Sequence, residues 1–246
     1  MTPTADGPLE ALLAVQGIDT ELDRARHRRA TLAERGELAA IDHDLAALEA
    51  RLATAREERD AAARAQEAVE QTLGGVERHA ADVKKRLYGG TVSATRELQA
   101  MAAELDSLTA RASELESRAL EGMEAWEPLD ARVDELEGEK GARTAQRAAV
   151  AASLLAHEAD ADEEIERLHV ARAQAAAAVP PDLVVTYERL RDRLGGVGAA
   201  RLVGTHCGGC HLTLPATELD RLRHQPAGTV SFCDQCGRIL VPTRTS

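Results

Sequence analysis

Apolar residues along this chain recur at steps of three and four. From Leu38 the positions Leu38, Ile41, Leu45, Leu48, Leu52, Ala55, Arg59, Ala62, Gln66, Val69, Leu73, Val76, Ala80, Val83 and Leu87 follow without a break, and only Arg59 and Gln66 are polar. Such a sustained heptad step predicts a coiled-coil seam rather than the broader apolar face of a globular helix. Upstream, Leu9, Leu12, Leu13, Ile18 and Leu22 carry a helical pattern, with a register change near Gly36. Beyond Gly89-Gly90 the step restarts at Leu98, Met101, Leu105, Leu108, Ala112, Leu115, Ala119, Gly122, Trp126, Leu129, Val133 and Leu136. It slips around Gly138 and Gly141 and resumes at Leu154, Ala161, Ile165 and Leu168.

Each tract lasts about eighty residues, roughly 120 Å at the helical rise. Two equal arms about a glycine break predict one antiparallel helical hairpin with its tip at about residues 86–95. Ser93 is the expected N-cap of the second arm. Pro128 removes a backbone hydrogen bond inside that arm, and Gly74-Gly75 weakens the first, so a kinked hairpin is expected. The arm bodies read first as structure, with helix-on-helix partner binding as the other use. Homodimerisation along the seam would compete with hairpin closure, and either a monomer or a dimer fits the pattern.

The second arm stops at "AAAAVPPDL", because Pro180-Pro181 cannot continue a helix. Asp182 is placed to cap a short helix with Leu183, Tyr187, Leu190 and Leu194 on one face, ended by Gly195-Gly196. The chain then divides into a hairpin, 1–179, and a region of short helix plus small metal-binding module, 180–246.

All four cysteines fall in that last region as two CxxC pairs, Cys207/Cys210 and Cys233/Cys236. Each pair sets two sulfurs on one turn, and two such turns complete a tetrahedron around one ion. Without secretory features, disulfides are the poorer reading. Zinc is preferred to iron, although rubredoxin-type iron sites use similar paired turns. Four thiolates saturate zinc and leave no position for water, so one structural zinc per chain is expected. His206 and His211 flank the first pair as exposed neighbours rather than ligands. The apolar tracts "ARLVG", "HLTLP", "TVSF" and "RILVP" predict brief strands, with "ATELDRLRH" as a turn of helix. A module with so small a core depends on its metal to fold.

Composition supports this division. Aromatic residues make up only 2% of the chain and charged residues 29%, the balance of long helices rather than a large globular core. The N-terminal "MTPTADGP" lacks the basic and apolar stretches of a signal peptide, and no apolar run is long enough to span a bilayer. A cytoplasmic protein is expected. The net charge is −12, but from Gly195 onward the formal balance is +2. Zinc held by four thiolates carries −2 and cancels that excess.

The stretch "PPDLVVTYERLRDRLGG", the knuckles "CGGCHLTLP" and "CDQCGRIL", and "LYGGTVSATRELQAM" together resemble the C4-type zinc ribbon domain family of bacterial coiled-coil proteins. The resemblance covers nearly the whole chain. It implies a mainly α fold, a kinked coiled-coil hairpin followed by a C4 zinc ribbon, without known catalysis. Relatives implied by it include a chaperone linked to flagella, a partner of type III secretion components and nucleic-acid binders.

Lys84, Lys85, Arg86 and Arg96 surround the turn with only Glu97 to oppose them. Tyr88 either caps the hairpin core or offers a contact, and the cations either complement the end of arm one or meet an acidic or phosphate-bearing partner. No phosphate-binding loop, dinucleotide motif, nucleophile elbow or open metal site is present, so an enzyme is not expected. The leading expectation is an adaptor for protein partners. Nucleic-acid binding through the tip and Arg201, Arg221, Arg223 and Arg238 is the alternative, and a self-assembling structural coiled coil the third.

Overall fold

The computed structural model describes residues 7–90, 92–226 and 228–243. Residues 1–6, Thr91 of the expected tip and Arg244 of the ribbon's charge count lie outside them. Four helices come first: α1 (Gly7–Ala30), α2 (Ala33–Tyr88), α3 (Thr95–Ala176) and α4 (Pro181–Arg193). A small region follows, made of β1 (Ala199–Val203), β2 (His206–Cys207), α5 (Ala216–His224), β3 (Ser231–Phe232) and β4 (Ile239–Val241). The chain packs as two compact units. One takes in the chain up to Gly36 and from Ala151 onward; the other is Glu37–Val150.

In the second unit α2 and α3 make the antiparallel hairpin. Every seam position from Leu38 to Leu87, and every one from Leu98 to Leu136, is buried or half-buried. Leu48, Leu52, Ala55, Val133 and Leu136 form its most continuous buried stretch. The two polar seam positions find different solutions. Arg59 turns its guanidinium to Asp60 (2.7 Å) and toward Asp130 (3.7 Å). Gln66 bonds Glu70 and lies against Gly122, where an added Cβ would sit 3.6 Å from the glutamine's own. Cross-arm ion pairs then fix the register: Lys140 with Glu49, Arg143 with Asp44, Arg147 with Asp42 and Arg56 with Glu137. Being solvated, each contributes at most about 1 kcal/mol, so they select an alignment that the buried seam stabilises.

Gly74-Gly75 and Pro128 lie inside α2 and α3 without ending them. Seam contacts on either side outweigh the local loss. Three boundaries differ from the sequence reading. The break upstream falls at Thr31-Leu32, while Gly36 is inside α2. At the end of α1 the Thr31 N–H and hydroxyl both reach the His27 carbonyl, at 3.0 and 2.8 Å. At α3 the carbonyl of Ala94 accepts from the N–H groups of Glu97 and Leu98, so Ser93 stands one residue before the cap position. At α4 the N-cap position is Pro180, and Asp182 falls in the first turn, where its charge complements the helix dipole.

The first unit is built around a four-stranded sheet of order β2-β1-β4-β3. β1 runs parallel to β4, and the outer strands pair antiparallel. The tract "HLTLP" supplies only an isolated bridge, Thr213 to His206, instead of a strand. His211, with φ of 61°, turns the chain just before it. Both sheet faces are covered at β4, which explains why its three residues Ile239, Leu240 and Val241 are all apolar and all buried. Alternation divides the side chains: Ala199, Ile239 and Val241 pack with Leu9, Leu12, Val15, Leu183, Tyr187 and Leu190 of α1 and α4. Ala200, Leu202 and Leu240 face Leu219 and Leu222 of α5 and the cysteines Cys207 and Cys233.

One polar cluster fastens this unit. Asp19 of α1 is 2% exposed and accepts the Tyr187 hydroxyl at 2.7 Å and the Arg172 Nε at 2.6 Å. Arg191 bonds Asp23 at 2.5 Å beside it. Gln16 reaches the sheet: its side-chain oxygen accepts from the Gly198 and Ala199 N–H groups, and its amide donates to the Gly196 carbonyl.

Tyr187→Phe should cost about 1.5–3 kcal/mol, the value of a hydrogen bond to a charged group, read by chemical denaturation. Burial, reinforced by the bond to Asp19, raises the Tyr187 pKa far above the usual phenol range. The folded chain therefore holds this proton more tightly than the unfolded chain does. Its stabilising contribution should be complete below about pH 10 and decline as pH rises further. Ultraviolet titration should show one tyrosine ionising only as the fold is lost.

Candidate metal centre and hairpin tip

Two short turns bring the sulfurs together. The first joins β2 to the loop before α5; the second lies between β3 and β4. All four Sγ atoms lie within 4.8 Å of one another, with Cys207 to Cys236 at 3.9 Å and Cys210 to Cys233 at 4.0 Å. A tetrahedron with metal–sulfur bonds of about 2.3 Å has edges near 3.8 Å, so the donor set fits zinc. Cys207 and Cys233 are buried, while Cys210 and Cys236 are half-buried. His206 and His211 are exposed beside the first turn, outside the sulfur cluster.

The glycine of the first knuckle has a steric reason. A Cβ at Gly208 would stand 2.8 Å from the Arg201 carbonyl oxygen, so only glycine lets this turn lie against β1. The Gly209 N–H points at the Cys207 sulfur, 3.4 Å away. Burial pushes the Cys207 thiol up and the Cys233 thiol up to about 12. At Cys236 burial acts the same way, but hydrogen bonds from Arg238, Cys233 and Cys210 together outweigh it and draw this thiol down to about 7. Cys207, Cys210, Cys233 and Cys236 would hold a zinc ion, whose positive charge would turn the remaining thiols into thiolates.

Two side chains that hold the knuckles escaped the sequence reading. Glu218 of α5, 3% exposed, accepts the Asp234 N–H at 3.0 Å and so fixes the second turn from below. No spacing marks it, because "ATELDRLRH" reads as an ordinary polar helix. Arg238, a candidate phosphate contact by sequence, instead donates its guanidinium to the carbonyls of Val197 and Leu194, at 2.9 and 3.0 Å. Arg201 pairs with Glu10 and Arg221 with Asp234. Of the four ribbon arginines named for nucleic acid, Arg223 alone has no partner among the described residues.

At the hairpin tip α2 ends on Tyr88, and Gly90 takes a φ of 71°, the left-handed conformation that glycine adopts freely. Lys84, Lys85, Arg86 and Arg96 are exposed, and their side chains form no ion pair among the described residues. Tyr88 is 75% exposed, so it does not cap the hairpin core, whose buried side chains nearest the turn are Val83 and Met101. Among the described residues no helix is long and apolar enough to cross a membrane.

A long antiparallel helical hairpin followed by a four-cysteine ribbon defines a class of protein. A model described as CT398-like coiled coil hairpin domain matches residues 15–195, and one described as C4-type zinc ribbon domain matches residues 206–240. The chain belongs to the CT398-like coiled coil hairpin family. It is 29% identical over 238 residues to an uncharacterized protein of Mycobacterium tuberculosis, covering 94% of each chain. A solved structure from Mycobacterium smegmatis, 26% identical, is similar over 98% of this chain and 99% of that one, at a TM-score of 0.72. CT398 from Chlamydia trachomatis, 19% identical, shares the fold at a TM-score of 0.63 over 96% of this chain and 98% of that one.

Cys233→Ser should abolish stoichiometric zinc binding in elemental analysis. It should also loosen the face formed by Ala200, Leu202, Leu219 and Leu240, while far-UV helicity stays largely intact because the hairpin buries its own seam.

Proposed function

We propose that this protein is a non-enzymatic cytoplasmic adaptor that holds one structural zinc and offers its hairpin tip and ribbon to protein partners. The reading rests mainly on the tip. A turn needs glycines, but it does not need four unpaired cations and a 75% exposed tyrosine on a chain of net charge −12. Elsewhere in the hairpin many basic side chains face carboxylates across the arms. Unspent positive charge beside an exposed aromatic favours an acidic protein surface. Four thiolates around zinc leave no site for substrate, which supports a structural metal and argues against catalysis.

Direct nucleic-acid binding is less supported, because Arg201, Arg221 and Arg238 already serve contacts within the chain. Replacing Lys84, Lys85, Arg86 and Arg96 together with Gln should abolish capture of crosslinked partners. Each such surface change should cost within roughly 0.5 kcal/mol of stability. Unchanged capture by this variant at physiological salt would reduce the tip to a turn. Capture that RNase or DNase removes, with affinity falling steeply as salt rises, would move the reading to nucleic acid. Metal analysis of the parent should give one zinc per chain.

A further inference from the structure

A second feature of the hairpin matches its tip. Midway along Glu37–Val150 a groove of about 330 Å³ is lined by Gln66, Glu67, Glu70, Met123, Trp126 and Glu127, together with Ala63. Its floor is apolar: Trp126 is half-buried, Met123 is 45% exposed, and Leu120 beside it is 62% exposed. Its rim is acidic. Among the described residues Glu67 and Glu70 accept only from the neutral amides of Gln71 and Gln66, and neither they nor Glu127 form an ion pair. Arg64, one turn before Glu67, is exposed and does not pair with it. An apolar floor with three uncompensated carboxylates suits an aromatic side chain among cations. The tip presents that combination in Tyr88 with Lys84, Lys85 and Arg86.

We infer that this groove receives the tip of a second copy of the chain. A tip cannot reach its own groove: Gln66 precedes Tyr88 by 22 residues of continuous helix, roughly 33 Å. Two hairpins laid antiparallel with that overlap place each tip on the other's groove, because both features belong to the same hairpin. The contact is isologous and closes at a dimer. Tyr88 lies on Trp126 and Met123, and the basic side chains meet Glu67, Glu70 and Glu127, with Trp126 also open to a cation on its face. This goes beyond the adaptor reading, since it needs no other molecule.

Sedimentation equilibrium of the full chain with zinc tests it. The parent should show a monomer–dimer equilibrium that weakens with salt. Lys84→Glu/Lys85→Glu/Arg86→Glu should weaken association about tenfold or more through like charges facing each other. Glu67→Lys/Glu70→Lys/Glu127→Lys should do the same. An equimolar mixture of the two variants should associate again, because in the mixed dimer both tip–groove contacts regain opposite charges. All six positions are exposed, so helicity should be unchanged; where a reversal disturbs it, Gln at the same three positions should still weaken the dimer, by less. A parent that stays monomeric at all accessible concentrations overturns the inference. So does a dimer indifferent to both triple changes, or a mixture that fails to associate. Loss of the dimer with partner capture retained would leave the adaptor reading standing, and the reverse would leave this one.

Discussion

A single buried carboxylate, Asp19, is the point on which the first unit turns. A charge removed from water is tolerated only where donors surround it, and here the donors come from separate segments: Arg172 near the end of α3, and Tyr187 of α4 with Arg191 adjoining. Satisfying that one group fixes α1, the last part of α3 and α4 against one another. Gln16, three residues earlier on α1, carries the same constraint into the backbone at Gly198 and Ala199, where β1 begins. The apolar packing of Leu9, Leu12 and Val15 on Ile239 and Val241 supplies the burial, but it is non-directional. The polar cluster selects one arrangement among those that burial alone would accept.

The sheet divides the work. On its helical face the core is made of ordinary large side chains. On the opposite face Leu202, Leu214, Leu219, Leu222 and Leu240 pack together with the buried cysteines Cys207 and Cys233. Sulfurs at 3.9–4.0 Å repel as thiolates unless a dication sits among them, so a metal bound there would be part of the core on that face. Glu218 and Arg238 then tie the second knuckle to α5 and to the loop before β1. Side chains so used are withdrawn from surface chemistry, and for this reason the ribbon offers little free positive charge.

The hairpin solves a different problem. Alanine, half-buried polar residues and scattered leucines make a thin seam, so alignment cannot rest on shape alone. Cross-arm ion pairs with little individual strength supply the register. Cations near the tip have no such duty. Their freedom, with the exposure of Tyr88, sets the tip apart from the arms behind it.

Much of this was legible in the chain because it is periodic or spaced. The 3.5-residue step named every seam position that the structure buries, since a side chain's angle around a helix depends only on its place in sequence. The CxxC pairs were legible because a metal needs its ligands close, and two residues between cysteines place both on one turn. Helix ends were less so. Ser93 and Asp182 are good capping types, yet Ala94 and Pro180 hold those positions, because the path into each helix decides where it starts. Nothing in the spacing of Asp19, Gln16, Glu218 or Arg238 marked them, because each acts on a partner far along the chain or on a backbone group that any residue carries. Sequence by itself determined the hairpin, the turn and the four sulfurs. Only tertiary structure decided which charges were consumed inside the fold and which stayed free, because that depends on distances between segments that periodicity does not encode.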